Sequence, residues 1–279
     1  MNELMTQLSP LAIVAFLVTA MFGLGLDLTV GQLVAPLRNY RLMIRGLLTG
    51  LVAPALVAFA LINMIPMDQA TQVAFILVVL AAGSEAGPKF VQMAGGNSAF
   101  ALGLMTVMLT VTVIGMPMAI SLMAPDAQIE RGAVLLKLLM AVALPLGIGL
   151  LIRARRQSVA DRLSPSLHRV SMILLVLVLA QLIYANFGTI LAIEASTLAA
   201  ALLLFAITAA TGYGLGGPER ADRRALAIMT FTRAASISMM IASQAFRHEP
   251  KVMAVVVVLG VMTFVTAGCL TAWFRRTPA

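Results

Sequence analysis

Residues 98–124, SAFALGLMTVMLTVTVIGMPMAISLMA, contain no Asp, Glu, Lys or Arg. A run of that length and apolarity matches one membrane crossing, which takes about 20 residues of helix. It is not alone. Hydropathy and punctuation give nine such segments, near 9–26, 42–65, 70–94, 98–124, 132–152, 168–186, 195–214, 223–246 and 251–274. None alternates with period 2, so an outer-membrane barrel is excluded, and helices remain the way to satisfy backbone groups in lipid. The composition agrees: 61% hydrophobic and 11% charged, where soluble domains carry about a quarter charged residues. The expected fold class is an all-α polytopic membrane protein of about nine transmembrane helices.

The segments are joined by short connections such as IPMDQ, GGNS and GGPERADRR, so residues 1–279 read as a single membrane domain. The longest connection, ARRQSVADRLSPSLHR, reads as polar loop. Thirteen arginines, among them Arg38, Arg41, Arg153 and Arg275, fall on one side of the bilayer. The other side holds Arg131, Arg247 and Lys251. That asymmetry predicts a cell-membrane protein with the N-terminus outside and the C-terminus cytoplasmic. It also accounts for the net charge of +8 without nucleic acid, since no basic face with interleaved aromatics occurs. No Lys or Arg precedes the first apolar run, so that run reads as a membrane helix rather than a cleavable signal. Cys269 is the single cysteine, and His168 and His248 both fall near polar connections, which argues against a metal site.

Two segments depart from the pattern by carrying charge near their middles. The third contains Glu85, Gly87, Pro88 and Lys89; the eighth contains Thr230, Thr232, Arg233 and Ser236. A charge at the bilayer centre costs about 2.5–3.5 kcal/mol on insertion scales, so it faces protein, water or a partner. Gly87-Pro88 removes an amide donor and disfavours helix just before it, which predicts a discontinuous helix near 83–90. A second break is expected near 229–238. Taking residues 1–124 as four helices and 125–279 as five puts each broken helix second from the end of its repeat. The two repeats would then run in opposite directions, an arrangement that marks the binding site in transporters.

Each feature also has a plainer reading. Glu85 and Lys89 stand at helical spacing and could pair with each other. Arg233 has no acid in its own segment; its partner is Glu85, a carbonyl-rich helix end or an anionic ligand. Lys137 snorkels outward, Glu194 is solvated and Asp27 is interfacial. The 19 methionines fill space, and the glycines of FGLGL mark close helix contact.

Three stretches, MFGLGLDL at 21–28, GSEAGPKFVQMAGGN at 83–97 and LPLGIGLLIR at 144–153, give the chain a resemblance to the bile acid:sodium symporter family. The order and spacing of the segments resemble that family over nearly the whole chain. The resemblance implies panel and core domains, with two broken helices crossing in the core. The family's sodium ligands do not carry over. Its Ser-Asn pair falls on Gly87 and Pro88, and its hydroxyl ligands from the next helix fall near Ala101 and Met105. Its glutamate and glutamine fall on Met229 and Arg233, and the remaining contribution falls near Thr49. Sodium needs several oxygen ligands, and almost none remain. In their place stand two fixed cations, Lys89 and Arg233, which are expected to substitute for the sodium ions.

The resulting expectation is a secondary transporter moving a small organic anion by alternating access. Its substrate would be a bile-acid-like carboxylate or a smaller hydroxy or keto acid. It would work without sodium, cofactor or metal and within a lipid bilayer. Sodium coupling, proton coupling through Glu85, an efflux carrier of the same superfamily and a channel remain as alternatives. An intramembrane enzyme is not expected: no GxSG-like nucleophile occurs, and the aspartates at 27, 68, 126, 161 and 222 read as lying in connections.

Overall fold

A computed structural model describes residues 2–29, 31–32, 39–123, 131–246 and 248–276. Arg38, Arg247 and the connection at 124–130 lie outside the described residues, as does the side chain of Arg131. The described chain is helical throughout. Seven helices are long and apolar enough to cross a membrane. In chain order, α1 is Asn2–Asp27. Tyr40–Leu47 (α2) passes through a π-turn at Leu48–Val52 into Ala53–Met64 (α3). Ser98–Met123 is α6. Arg131–Leu138 (α7) passes through a second π-turn at Leu139–Ala143 into Leu144–Arg155 (α8). Gln157–Ala185 (α9), Ala195–Leu215 (α11) and Pro250–Arg276 (α14) complete the seven; α10 is the short helix Phe187–Leu191.

The two segments singled out by their charges are split. The first consists of Gln69–Leu80 (α4) and Gly87–Met93 (α5). The break precedes the Gly-Pro step instead of falling on it. Pro88 sits in the first turn of α5, where its missing amide leaves no bond unmade. The chain turns at Gly83, at φ +87°, and a Cβ there would stand 2.6 Å from the Leu109 amide nitrogen. The second segment consists of Arg220–Phe231 (α12) and Ala235–Ala245 (α13). Its break contains neither Gly nor Pro. It is held by the first: Ala82 and Arg233 form an antiparallel bridge, and the Ala234 amide donates to the Ala81 carbonyl at 2.8 Å. Backbone groups freed at membrane depth thus satisfy one another.

α1 packs against α8 and α9, α11 against α12, and α4 against α14. The α1–α8 contact is the one expected from FGLGL: a Cβ on Gly25 would lie 2.3 Å from the Leu146 carbonyl oxygen, and one on Gly149 would lie 2.6 Å from that of Phe22. Two expectations need correction. The stretch 157–169, read as part of a polar loop, is nearly the first half of α9, because a helix continues past its apolar part when its polar side chains find partners; Arg153 pairs with Asp161 across the α8–α9 junction. Asp222, read as a connection residue, lies in the first turn of α12, 7% exposed, where it accepts from the Asn97 side chain at 2.8 Å.

Candidate functional site

Arg233 is 3% exposed, and its guanidinium donates to three backbone carbonyls: Gly50 at 2.9 Å, Val79 at 3.2 Å, and Thr230. All three lie where regular α-helical bonding is interrupted. Gly50 lies in the π-turn, and Pro54 four residues on has no N–H to offer it. Val79 lies in the last turn of α4, and Thr230 in the last turn of α12. The amide that would reach Thr230, that of Ala234, is bonded to Ala81 instead. Arg233 therefore takes the carbonyl-rich helix ends among the partners open to it from sequence, rather than Glu85 or a ligand. A positive charge there also complements two converging helix C-termini.

Around Arg233, the Thr230 and Thr232 hydroxyls bond within their own helix. The Thr230 hydroxyl donates to Leu226 and lies 3.3 Å from that of Thr49, inside the π-turn. The Thr232 hydroxyl donates to Ile228 at 2.9 Å. Gly87 is buried against both breaks: a Cβ on it would lie 2.7 Å from Met229 Sδ and 3.0 Å from Thr232 Oγ1. Met229, Gly87, Arg233 and Thr49, four of the seven positions onto which sodium ligands were carried, thus cluster here, filled by a thioether, a guanidinium, a hydroxyl and backbone.

Next to this cluster a cavity of about 430 Å³ opens between α1, α9 and the first break. Phe16, Ala20 and Leu24 of α1, Leu102 of α6, Leu175 of α9 and Phe264 of α14 supply its apolar wall. Its polar lining is Glu85, Lys89 and Gln92 from the break and α5, Asp27 and Gln32 from the end of α1 and beyond, Ser98, and His168 and Ser171 from α9. Of the residues expected at the site, Glu85, Pro88 and Lys89 line this cavity, whereas Gly87, Thr230, Thr232 and Arg233 lie behind it. Ser236 faces a small adjoining void and donates to Glu85 Oε1 at 3.1 Å. The Glu85–Lys89 pair does not form. Glu85 precedes α5, its carboxylate turns to Ser236, and its Oε2 is buried with no hydrogen-bond partner. Lys89 is exposed to the cavity.

Asp27 and His168 are the residues the sequence did not point to. Asp27 accepts from the Ser164 hydroxyl, and its Oδ2 lies 2.6 Å from His168 Nε2. Their separation by 141 positions leaves no local signal. The four-residue spacing of Ser164 and His168 places them on one helix face, which is visible once α9 is known to begin at 157. The AGGN stretch has a positional role. Its turn, with Gly95 at φ +68°, lies against α12; the Asn97 amide donates to Ala221 and Arg224 donates to the Ala94 carbonyl.

Seven helices long and apolar enough to cross a membrane, with two broken segments joined at their breaks beside a partly polar cavity, define a multi-pass membrane protein. Residues 14–193 match the Sodium Bile acid symporter family, and the chain belongs to that family. It is accordingly a secondary transporter and not an enzyme. The match ends before α12 and α13, so the second break stands outside it. Comparison with curated proteins returns no match.

Proposed function

We propose that this transporter moves a small organic anion, a bile-acid-like carboxylate or a smaller hydroxy or keto acid, by alternating access and without sodium. The observation that carries the proposal is Lys89, an ammonium in a cavity that also presents an apolar wall of Phe16, Leu24 and Phe264. A carboxylate at Lys89 with its carbon skeleton against Phe16, Leu24 and Phe264 meets both requirements of an amphipathic anion. Arg233 takes the role of one sodium ion: like a bound cation, it collects carbonyl oxygens from three chain segments and neutralises two helix ends. Lys89 provides the second charge, at the solute itself.

In this reading each broken segment completes one further crossing, giving nine. The α4–α5 and α12–α13 pairs are the matching crossing helices of two inverted repeats, 1–124 and 125–279. α1, α8 and α9, which pack on one another, form the panel, and the remaining helices form the core. The cavity lies between the two and opens at the arginine-rich end, toward the cytoplasm, with the N-terminus outside. The test is counterflow in proteoliposomes of the purified protein, with a panel of labelled organic anions. Saturable exchange supports the reading; single-channel current without saturable exchange contradicts it.

A further inference from the structure

The cavity holds titratable groups that anion binding at Lys89 leaves unused. Asp27 is fixed at both oxygens, by the Ser164 hydroxyl and by His168. A carboxylate only accepts, so Nε2 of His168 carries the proton of that hydrogen bond and Nδ1 is the free ring nitrogen. The ring lies along α1 where residue 23 is glycine; a Cβ there would stand 3.6 Å from Cε1 and 3.7 Å from Nδ1. Neither group is sealed: the side chains of His168 and Asp27 are 27% and 43% exposed and line the cavity. The charged groups that share this space are Lys89 from α5 and Glu85 from the first break. α6 contributes Ser98 and Leu102, and α14 contributes Phe264. Arg153 of α8 is paired with Asp161, and Arg169, beside His168, is exposed and does not line the cavity.

We propose that the Asp27–His168 pair is the coupling site of this transporter, taking up one proton with each anion bound at Lys89; the inference rests on the organic-anion reading of the cavity. The charges account for the coupling. With Asp27 ionised and the imidazole neutral, the carboxylate offsets Lys89 and an arriving anion finds little net attraction. One proton added at Nδ1 makes His168 an imidazolium against the carboxylate, so the pair becomes neutral, the net charge around Lys89 rises by one, and Glu85 is the one acid left facing its ammonium. The anion then cancels Lys89. Loaded with anion and proton, these groups carry the same net charge as when empty, so both forms of the carrier cross the low-dielectric membrane on equal terms. The Ser164 bond holds Asp27 in place through the change.

The test uses the full chain in sodium-free proteoliposomes, with labelled taurocholate and pyruvate as probes, both of which stay ionised across the pH range used. Counterflow is measured over a pH series, and uptake is measured with and without an inward proton gradient. One proton per anion predicts that apparent affinity falls by up to about tenfold per pH unit as pH rises through the titration, and that the gradient drives accumulation. His168→Gln and Asp27→Asn should each flatten that slope, whatever their absolute rates, while Glu85→Gln keeps it. Wild-type counterflow that is independent of pH overturns this inference and leaves the anion reading standing. A slope lost in Glu85→Gln but kept in His168→Gln assigns the proton to Glu85 and also overturns it. No counterflow of either probe overturns the anion reading and this inference together.

Discussion

Replacing Arg233 by alanine removes the group that ties Gly50, Val79 and Thr230 together. Three buried carbonyls lose their donor, at about 1–3 kcal/mol each. Against this stands the relief of no longer burying a guanidinium, itself several kcal/mol. The balance is a loss of about 3 kcal/mol, or about 6–12 °C in apparent melting temperature at 2–4 °C per kcal/mol. The variant should also acquire a property the parent lacks. Its carbonyl oxygens now face the space of a removed cation, and sodium should bind there. With about 100 mM sodium and a dissociation constant of about 10 mM, mass action returns about 1.4 kcal/mol. Fluorescence-monitored unfolding in detergent, in sodium chloride against choline chloride, reads both effects. Arg233→Ala should melt earlier than the parent in choline and recover part of the difference in sodium, while the parent melts alike in both. A variant as stable as the parent, or a parent stabilised by sodium, refutes the reasoning.

Lys89→Ala should weaken anion uptake by about ten- to a hundredfold in apparent affinity, the range for one charged hydrogen bond, with unchanged melting because Lys89 is exposed. Gly25→Ala should destabilise by about 1–3 kcal/mol, since the new methyl meets the Leu146 carbonyl and forces α1 from α8; unfolding of the purified variant measures it. At the opposite end of the molecule, partial burial pushes the Asp68 carboxyl up. The hydrogen bonds from Thr71 and Lys251, with the charge of Lys251, outweigh this and hold it below its ordinary value of 3.8. A depressed carboxyl stabilises the fold above its unfolded pKa and loses that contribution as pH falls through the folded one. Asp68→Asn should therefore lower the melting temperature slightly near neutral pH, and the difference should shrink on acidification below the ordinary carboxylate range.

The features legible in the sequence are those with a local cause. Long uncharged runs specified the spanning helices, and isolated charges within apolar segments located both breaks. The second break shows the limit. Nothing in TFTRAASIS resembles a helix terminator, and Ala82 and Arg233, the partners that hold it open, are 151 positions apart. The cavity lining divides in the same way. Lys89 and Glu85 stood out because charge is rare in their segment, whereas Asp27 and His168 appeared to belong to polar ends. Only the continuation of α9 through Ser164 turns them toward the interior. Arg233 was found by its charge, but its three carbonyl partners depend on Pro54 in α3, on the end of α4 and on the bridge between breaks. No local spacing encodes that convergence.

If fixed cations have replaced sodium in this member of the family, transport owes nothing to the ion. This is tested most directly by initial rates of labelled-anion counterflow in proteoliposomes, with sodium replaced stepwise by choline at constant ionic strength and constant pH. Equal rates are expected across the series; a rate that rises with sodium and saturates would show that the ion is still required.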